Sequence, residues 1–239
     1  GIADRNSVAG VVRAHVYARE RREDIGEFKV VAGARLVFED DTPDIIAYPQ
    51  DRAAWGRLCR MLTQANMRAE KGKALLRLDD LPGHAEGLLL IAMERSSRTD
   101  ADLPAARGAR DKFARLRDAA HGRLWLALTA AYGRHMRRDF ARRLDLARET
   151  GLPLIAVNDV FMHAPERREL ADALACIREG KTLDAAGRLL GLNAERHLKN
   201  PQEMAQLFSD APDAVAETVR FLDRIDFSLD QLAYEYPSE

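Results

Sequence analysis

Leu88-Leu-Leu-Ile-Ala-Met93, Leu124-Trp-Leu-Ala-Leu128 and Leu154-Ile-Ala-Val157 are short apolar runs with no polar alternation, and amphipathic stretches lie between them. Runs of this kind fit strands buried on both faces, and their regular interleaving with helical periodicity predicts a mostly parallel sheet covered by helices. The intervening helices are expected over about 101–120 and Met136–Glu149. The fold class is therefore α/β. In such folds ligands gather beyond the C-terminal ends of the strands, which makes Asn158-Asp159, directly after the third run, a place to look for a site.

Upstream, Ile2-Ala3 reads as the end of a strand that leads through Asp4-Arg-Asn6 into a helix capped by Ser7 and running to about Arg22. Two strands follow, Phe28–Ala32 continuing into Arg35–Phe38, and Ile45–Tyr48, with the turn formers Glu39-Asp-Asp-Thr-Pro43 between them. Asp51 is the expected cap of an amphipathic helix with Trp55, Leu58, Cys59, Leu62 and Met67 on or near one face. Beyond about Arg178 the chain turns to short helices, predicted over Thr182–Leu190, Pro201–Phe208 and Pro212–Arg224. Phe208, Val215, Val219 and Leu222 form an apolar stripe there, expected to pack on the sheet domain or on a following one. The strand-like opening without Met leads to the expectation that a strand and a helix precede Gly1, and Tyr234-Glu-Tyr-Pro-Ser-Glu239 reads as a chain cut before its next element.

Composition narrows the function classes. With 46% apolar and 31% charged residues the chain has the make-up of a globular domain, and its 239 residues suffice for one α/β domain plus an appendage. The 37 basic residues are balanced by 38 acidic ones, so no global field draws it to nucleic acid. No apolar run approaches the ~20 residues of a membrane-spanning helix. Cys59 and Cys176 stand alone, without metal or redox spacing, which fits buried thiols in a reducing cytoplasm.

The chemistry-bearing residues are few. None of the six His forms HxH or HExxH. His15 reads as a helix-face residue, His84, His121 and His135 as solvated, and His197 as a local hydrogen-bonding residue. His163 differs, because Asn158-Asp-Val-Phe-Met-His163 places a carboxylate and an imidazole in one loop after a strand. A metal centre needs donors from several strands, so this pair alone does not make one. The basic clusters Arg19–Arg22, Arg134–Arg138 and Arg142-Arg143 are interspersed with acids and read as solvated helix faces. No phosphate-binding loop, dinucleotide fingerprint, nucleophile elbow or cluster of acids suited to a two-metal polymerase site is present.

Several strings nevertheless resemble, in order, the N-terminal PHP region of the error-prone, C-family relatives of the bacterial replicative polymerase α subunit. They are Ala3–His15, Arg57–Thr63, Arg68–Gly72, Pro153–Asp159, His163–Arg168, Asn193–Lys199 and Tyr234–Pro237. The resemblance implies a distorted (β/α)-barrel of PHP type lacking its first strand, over residues 1–180. A helical extension over 181–239 would then lead towards the polymerase palm. It also implies a parent polymerase active in damage-induced mutagenesis and translesion synthesis, dependent on Mg, whose catalytic aspartates lie downstream.

PHP relatives hold up to three metals at the strand ends. The first motif, an HxH pair, is expected upstream of Gly1. Of the Asp-His motif Asp4 is kept and Arg5 replaces the His; the Gly-x-Glu motif becomes Gly33-Ala34-Arg35; and in the Asp-x-His motif Asp159 is kept while Phe161 replaces the His. Arg carries a fixed positive charge and Phe has no donor atom, so a metal site is expected to be lost. Asp4, Asp159 and His163 remain as candidate ligands, and Arg5 and Arg35 are expected to pair with Asp4 and Asp159 in place of metal. The implied role is a scaffold with no cofactor of its own. Its partners would be the rest of the polymerase chain and, through the parent, DNA and accessory proteins of replication or mutagenesis; a membrane is not among them. The alternative is an active PHP phosphoesterase or 3′–5′ exonuclease using Zn or Mn.

Overall fold

The computed structural model describes residues 1–26, 28–93, 105–130, 136–191 and 193–232. The expected helix start at 101–104, Arg134, His135 and the string Tyr234–Pro237 lie outside them. Six strands, β1 (Ile2–Arg5), β2 (Ala32–Leu36), β3 (Asp44–Pro49), β4 (Leu88–Met93), β5 (Leu124–Leu128) and β6 (Leu154–Ala156), form one sheet in sequence order. The helices are α1 (Val11–Glu20), α2 (Arg22–Ile25), α3 (Arg52–Met67), α4 (Ala105–Ala120), α5 (Met136–Thr150), α6 (Arg168–Glu179), α7 (Leu183–Ala186), α8 (Pro201–Leu207) and α9 (Pro212–Leu222). This is a mixed α/β fold whose open sheet agrees with a distorted barrel.

The sheet is less parallel than expected. β1 pairs with β2 and β4 with β5 in parallel, but β3 runs antiparallel to both its neighbours. The reason lies in the connection from β2 to β3, only residues 37–43, which is too short for a parallel crossover and closes a hairpin instead. Burial explains why β4 and β5 were legible as apolar runs: every residue of both is buried.

The chain divides into two compact units, one of residues 1–126, 150–153 and 219–239, the other of 127–149 and 154–218. In the first unit Val11, Ala32 and Phe227 form a buried cluster with Ile2, Val8, Trp55 and Leu229 against it. Phe227 stacks on Trp55 with ring centroids 5.0 Å apart, and Phe221 meets Tyr48 and Trp125 edge-on. The second unit has its own core of Leu128, Ala130, Ala156, Phe208 and Ala214, lined by Phe140, Leu154 and Val215.

Several local expectations need correction. α1 starts at Val11, not after Ser7, because the Ser7 hydroxyl bonds Ala9 N in a turn while the Asp4 carboxylate takes Gly10 N. The helix also breaks at Arg21 and resumes as α2. Asp51 does cap α3, accepting from Ala54 N at 2.7 Å. The buried face of α3 is Ala54, Leu58, Met61, Leu62 and Ala65, whereas Met67 is 82% exposed and Cys59 only partly buried. In the expected C-terminal stripe Phe208 is fully buried, but Val219 and Leu222 are exposed; Ala214, Phe221, Ile225 and Phe227 are buried in their place.

Candidate functional site

Asp4 and Arg5 end β1, and both are exposed. The Asp4 carboxylate accepts from Gly10 N at 2.9 Å and so serves the entry to α1. Next along, Asn6 takes a left-handed φ of 47° and clamps the end of the β1–β2 ladder. It donates to Val37 O at 3.0 Å and accepts from Val37 N at 2.8 Å. An amide side chain that both donates and accepts does here what one more pair of strand residues would do.

Arg35 lies in β2, and its guanidinium Nε donates to Asp44 Oδ2 at 2.8 Å across the hairpin. Asp44 is 8% exposed, so the pair leaves neither charge bare in the interior, and removing one partner alone would be costly. Gly33 is dictated by packing: a Cβ there would stand 2.5 Å from Tyr48 Cδ1 and 2.7 Å from Ala47 O. Burial pushes the Tyr48 phenol up to about 12, so it stays neutral over the physiological range.

Asp159 follows β6 and also has a left-handed φ, 45°. Its guanidinium partner is Arg196, which sequence reasoning missed. Arg196 Nη2 donates to Asp159 Oδ2 at 2.5 Å and Nε to Asp159 O at 2.7 Å. The same guanidinium lies over the Phe161 ring, 4.0 Å from its centroid. The main chain completes a clasp: Phe161 N donates to Arg196 O at 2.8 Å, Leu198 N to Met162 O at 3.2 Å, and Met162 bridges His197 in parallel. Asn158 Nδ2 reaches His197 O at 2.5 Å, and Lys199 Nζ pairs with Glu195 Oε2 at 3.0 Å. The signal that could have found this is the resemblance itself, since Pro153–Asp159 and Asn193–Lys199 are two of its strings.

Within their own units Arg35 pairs with Asp44 and Arg196 with Asp159, two partners that the spacing of the sequence did not suggest. His163 is exposed, and Phe161 is 47% exposed apart from its contact with Arg196. Among the described residues no three His, Cys, Asp or Glu side chains gather in a group able to hold a metal ion. The Asp4 carboxylate is engaged by an N–H group and the Asp159 carboxylate by a guanidinium, and each of these partners opposes a metal ion at the oxygen it occupies.

His84 is partly buried with Nδ1 2.9 Å from Asp80 O, contrary to the solvated reading, because the turn after Asp80 folds back over it. His15 on α1 contacts Asp230, Nε2 to Oδ1 3.2 Å, and His197 makes its local bond to Ala194 O at 2.9 Å. Arg19, Arg21 and Arg22 are exposed, but Arg143 is 5% exposed and donates to Thr129 O at 3.0 Å, so the basic pair Arg142-Arg143 is not a solvated face. A carbonyl just past the end of β5 needs a donor there, and α5 supplies it. Neither cysteine is in a disulfide, and burial raises the Cys59 thiol above its usual range. No helix among the described residues is long and apolar enough to cross a membrane.

The fold defines a mixed α/β sheet protein in which an arginine holds the carboxylate after β6 and a main-chain N–H the carboxylate at the end of β1. Comparison with known proteins makes this specific. Over all 239 residues the chain is 46% identical to the error-prone DNA polymerase of Sinorhizobium medicae. It is 47% identical to error-prone DNA polymerase 1 of Rhizobium meliloti and, over 240 aligned residues, 48% identical to the error-prone DNA polymerase of Rhodopseudomonas palustris. The resemblance to error-prone polymerases therefore extends along the entire chain. The chain spans only 20% of the length of the first two and 21% of the third. No protein-family model matches it.

Proposed function

We propose that this chain is the PHP region of an error-prone, C-family DNA polymerase that acts in damage-induced mutagenesis and translesion synthesis, and that it works there as a scaffold without metal chemistry. Similarity along the whole chain to error-prone polymerases supports the first half. The observation that carries the second half is the Arg196 guanidinium on Asp159. A permanent cation within hydrogen-bond distance satisfies the carboxylate and opposes a dication at the same oxygen. On this reading residues 1–180 are the PHP part and 181–239 lead towards the palm. The partners are the remainder of the polymerase in the cytoplasm and, through it, DNA and accessory proteins; Mg serves the parent's polymerase site only.

The test is made on the whole polymerase. Primer extension dependent on Mg is expected, together with less than one equivalent of bound Zn, Mn or Fe by elemental analysis and no hydrolysis of a generic phosphoester. Stoichiometric metal that is lost in Asp159→Ala, accompanied by loss of 3′-end hydrolysis, would overturn the scaffold reading in favour of the phosphoesterase or exonuclease.

A further inference from the structure

The outer face of α3 is basic along its length. Arg52, Gly56, Arg60, Thr63, Gln64 and Met67 are exposed at helical spacing, and the helix contains no Asp or Glu. Its other face carries Ala54, Leu58, Met61, Leu62 and Ala65 into the interior, so the arginines stand on an anchored helix. The loop that follows folds back on the helix end, with Leu75 N donating to Ala65 O at 3.0 Å, and places exposed Lys71 just beyond it. Between Arg52 and Leu78 there are seven basic side chains and one carboxylate, although the whole chain is at −1, so positive charge is concentrated here.

The carboxylates around this stretch are engaged elsewhere. Asp51 accepts from Ala54 N, Glu70 pairs with Lys73, Asp80 with Arg68, Asp79 with Arg115, and Glu86 with Arg57. The exposed turn Glu39–Asp41 meets the chain at Leu76 and Leu78, so Arg77 beside it is left out of the face. Among the described residues Arg52, Arg60 and Lys71 have no side-chain partner. Three uncompensated cations in a row over a fixed helix favour a polyanion. A membrane surface would need an apolar face, and here Met67 is the one large apolar side chain. A single strand held by its bases would need exposed rings, and the one ring of α3, Trp55, is stacked on Phe227. Arg52 and Arg60 are two turns apart, about 12 Å, close to the width of the major groove of B-form DNA. Gly56 lies between them with open space around it, so a phosphate row can approach the helix closely.

We infer that the outer face of α3, with Lys71, is a sequence-independent binding surface for the phosphate backbone of duplex DNA. The choice of DNA among polyanions rests on the reading of the chain as part of a DNA polymerase.

The experiment measures binding of the whole polymerase to a fluorescent duplex over a range of salt concentrations. Each lost phosphate contact lowers the slope of log affinity against log salt by roughly 0.9. The triple variant Arg52→Gln/Arg60→Gln/Lys71→Gln should therefore lose about 3 from the slope and bind at least tenfold more weakly, equally on two unrelated sequences. Arg52→Lys/Arg60→Lys should keep the slope, because phosphate contacts need the charge and not the guanidinium fork. The control Arg13→Gln/Arg19→Gln/Arg167→Gln removes the same charge from exposed positions on α1 and just before α6, and should leave the slope unchanged. Should the triple variant not fold, Arg52→Gln and Arg60→Gln alone are each expected to lower the slope by about 1. An unchanged slope, an equal loss in the control, or a loss confined to single-stranded DNA would each overturn the inference. Primer extension by the natural polymerase keeps the two ideas apart. Extension with unaltered slopes defeats only the DNA surface, whereas a natural protein that neither extends primers nor binds duplex defeats the polymerase reading as well.

Discussion

The β2–β3 hairpin and the loop after β6 both carry an arginine–aspartate pair, yet the two pairs do different work. In the hairpin, Arg35 and Asp44 are nine positions apart on strands that already share a register, and Leu36, Ile45 and Ala47 around them are fully buried. The backbone is fixed by its ladder and core, and the pair neutralises a charge within it. After β6, Arg196 and Asp159 are 37 positions apart, the strand is three residues long, and the neighbouring Val160 and Phe161 are exposed. Here the polar bonds themselves hold the backbone. The same chemistry is a correction in one place and the construction in the other, so its loss should be felt globally in the first and locally in the second.

Four measurements put that contrast to the test. Leu90→Ala empties a fully buried position in β4 and should cost about 2–5 kcal/mol in urea unfolding, the benchmark for a region held by burial. Arg35→Ala leaves Asp44 buried without its cation and should lower global stability by about 1–3 kcal/mol, with amide exchange in the hairpin changed only through that global term. Arg196→Ala, at a pair about a quarter exposed, should cost less than ~1 kcal/mol globally but speed exchange at Phe161, Met162 and Leu198 by tenfold or more. Equal global losses for the two arginines, with no local opening after β6, would erase the distinction.

The smallest effect is a pH dependence. Burial pushes the Asp40 carboxyl up, but bonds from the Thr42 hydroxyl and from Leu78 and Thr42 N, with Lys112 nearby, outweigh it and hold it below 3.8. A depressed folded-state value means the contribution is complete above 3.8 and is lost as the pH falls through the lower folded value. The stability gap between the natural chain and Asp40→Asn should therefore shrink as the pH falls below 3.8. A gap that widens on acidification would show that the hydrogen bonds do not favour the charged form.

Legibility followed the range of the interaction. β4, β5 and the Asp51 cap were readable because a run of apolar residues and a cap three residues from its N–H are local signals. The reversed direction of β3 could have been inferred from the short connection, but the apolar pattern of a strand is the same whichever way it runs. The late start of α1 was hidden because Asp4 reaches six positions ahead to compete with Ser7 for the role of cap. Arg196 was out of reach of spacing altogether. A guanidinium can meet a carboxylate from anywhere in the chain, and 37 positions of intervening sequence give no sign of which one will.

Asp159 has a further consequence through its φ of 45°. Backbone in that region admits Gly, Asn and Asp with little penalty and disfavours branched or bulky side chains. Substitution at this position is thus confined to a narrow alphabet by steric geometry alone, and the turn by itself is reason enough for an aspartate to stand here, with or without an ion to bind.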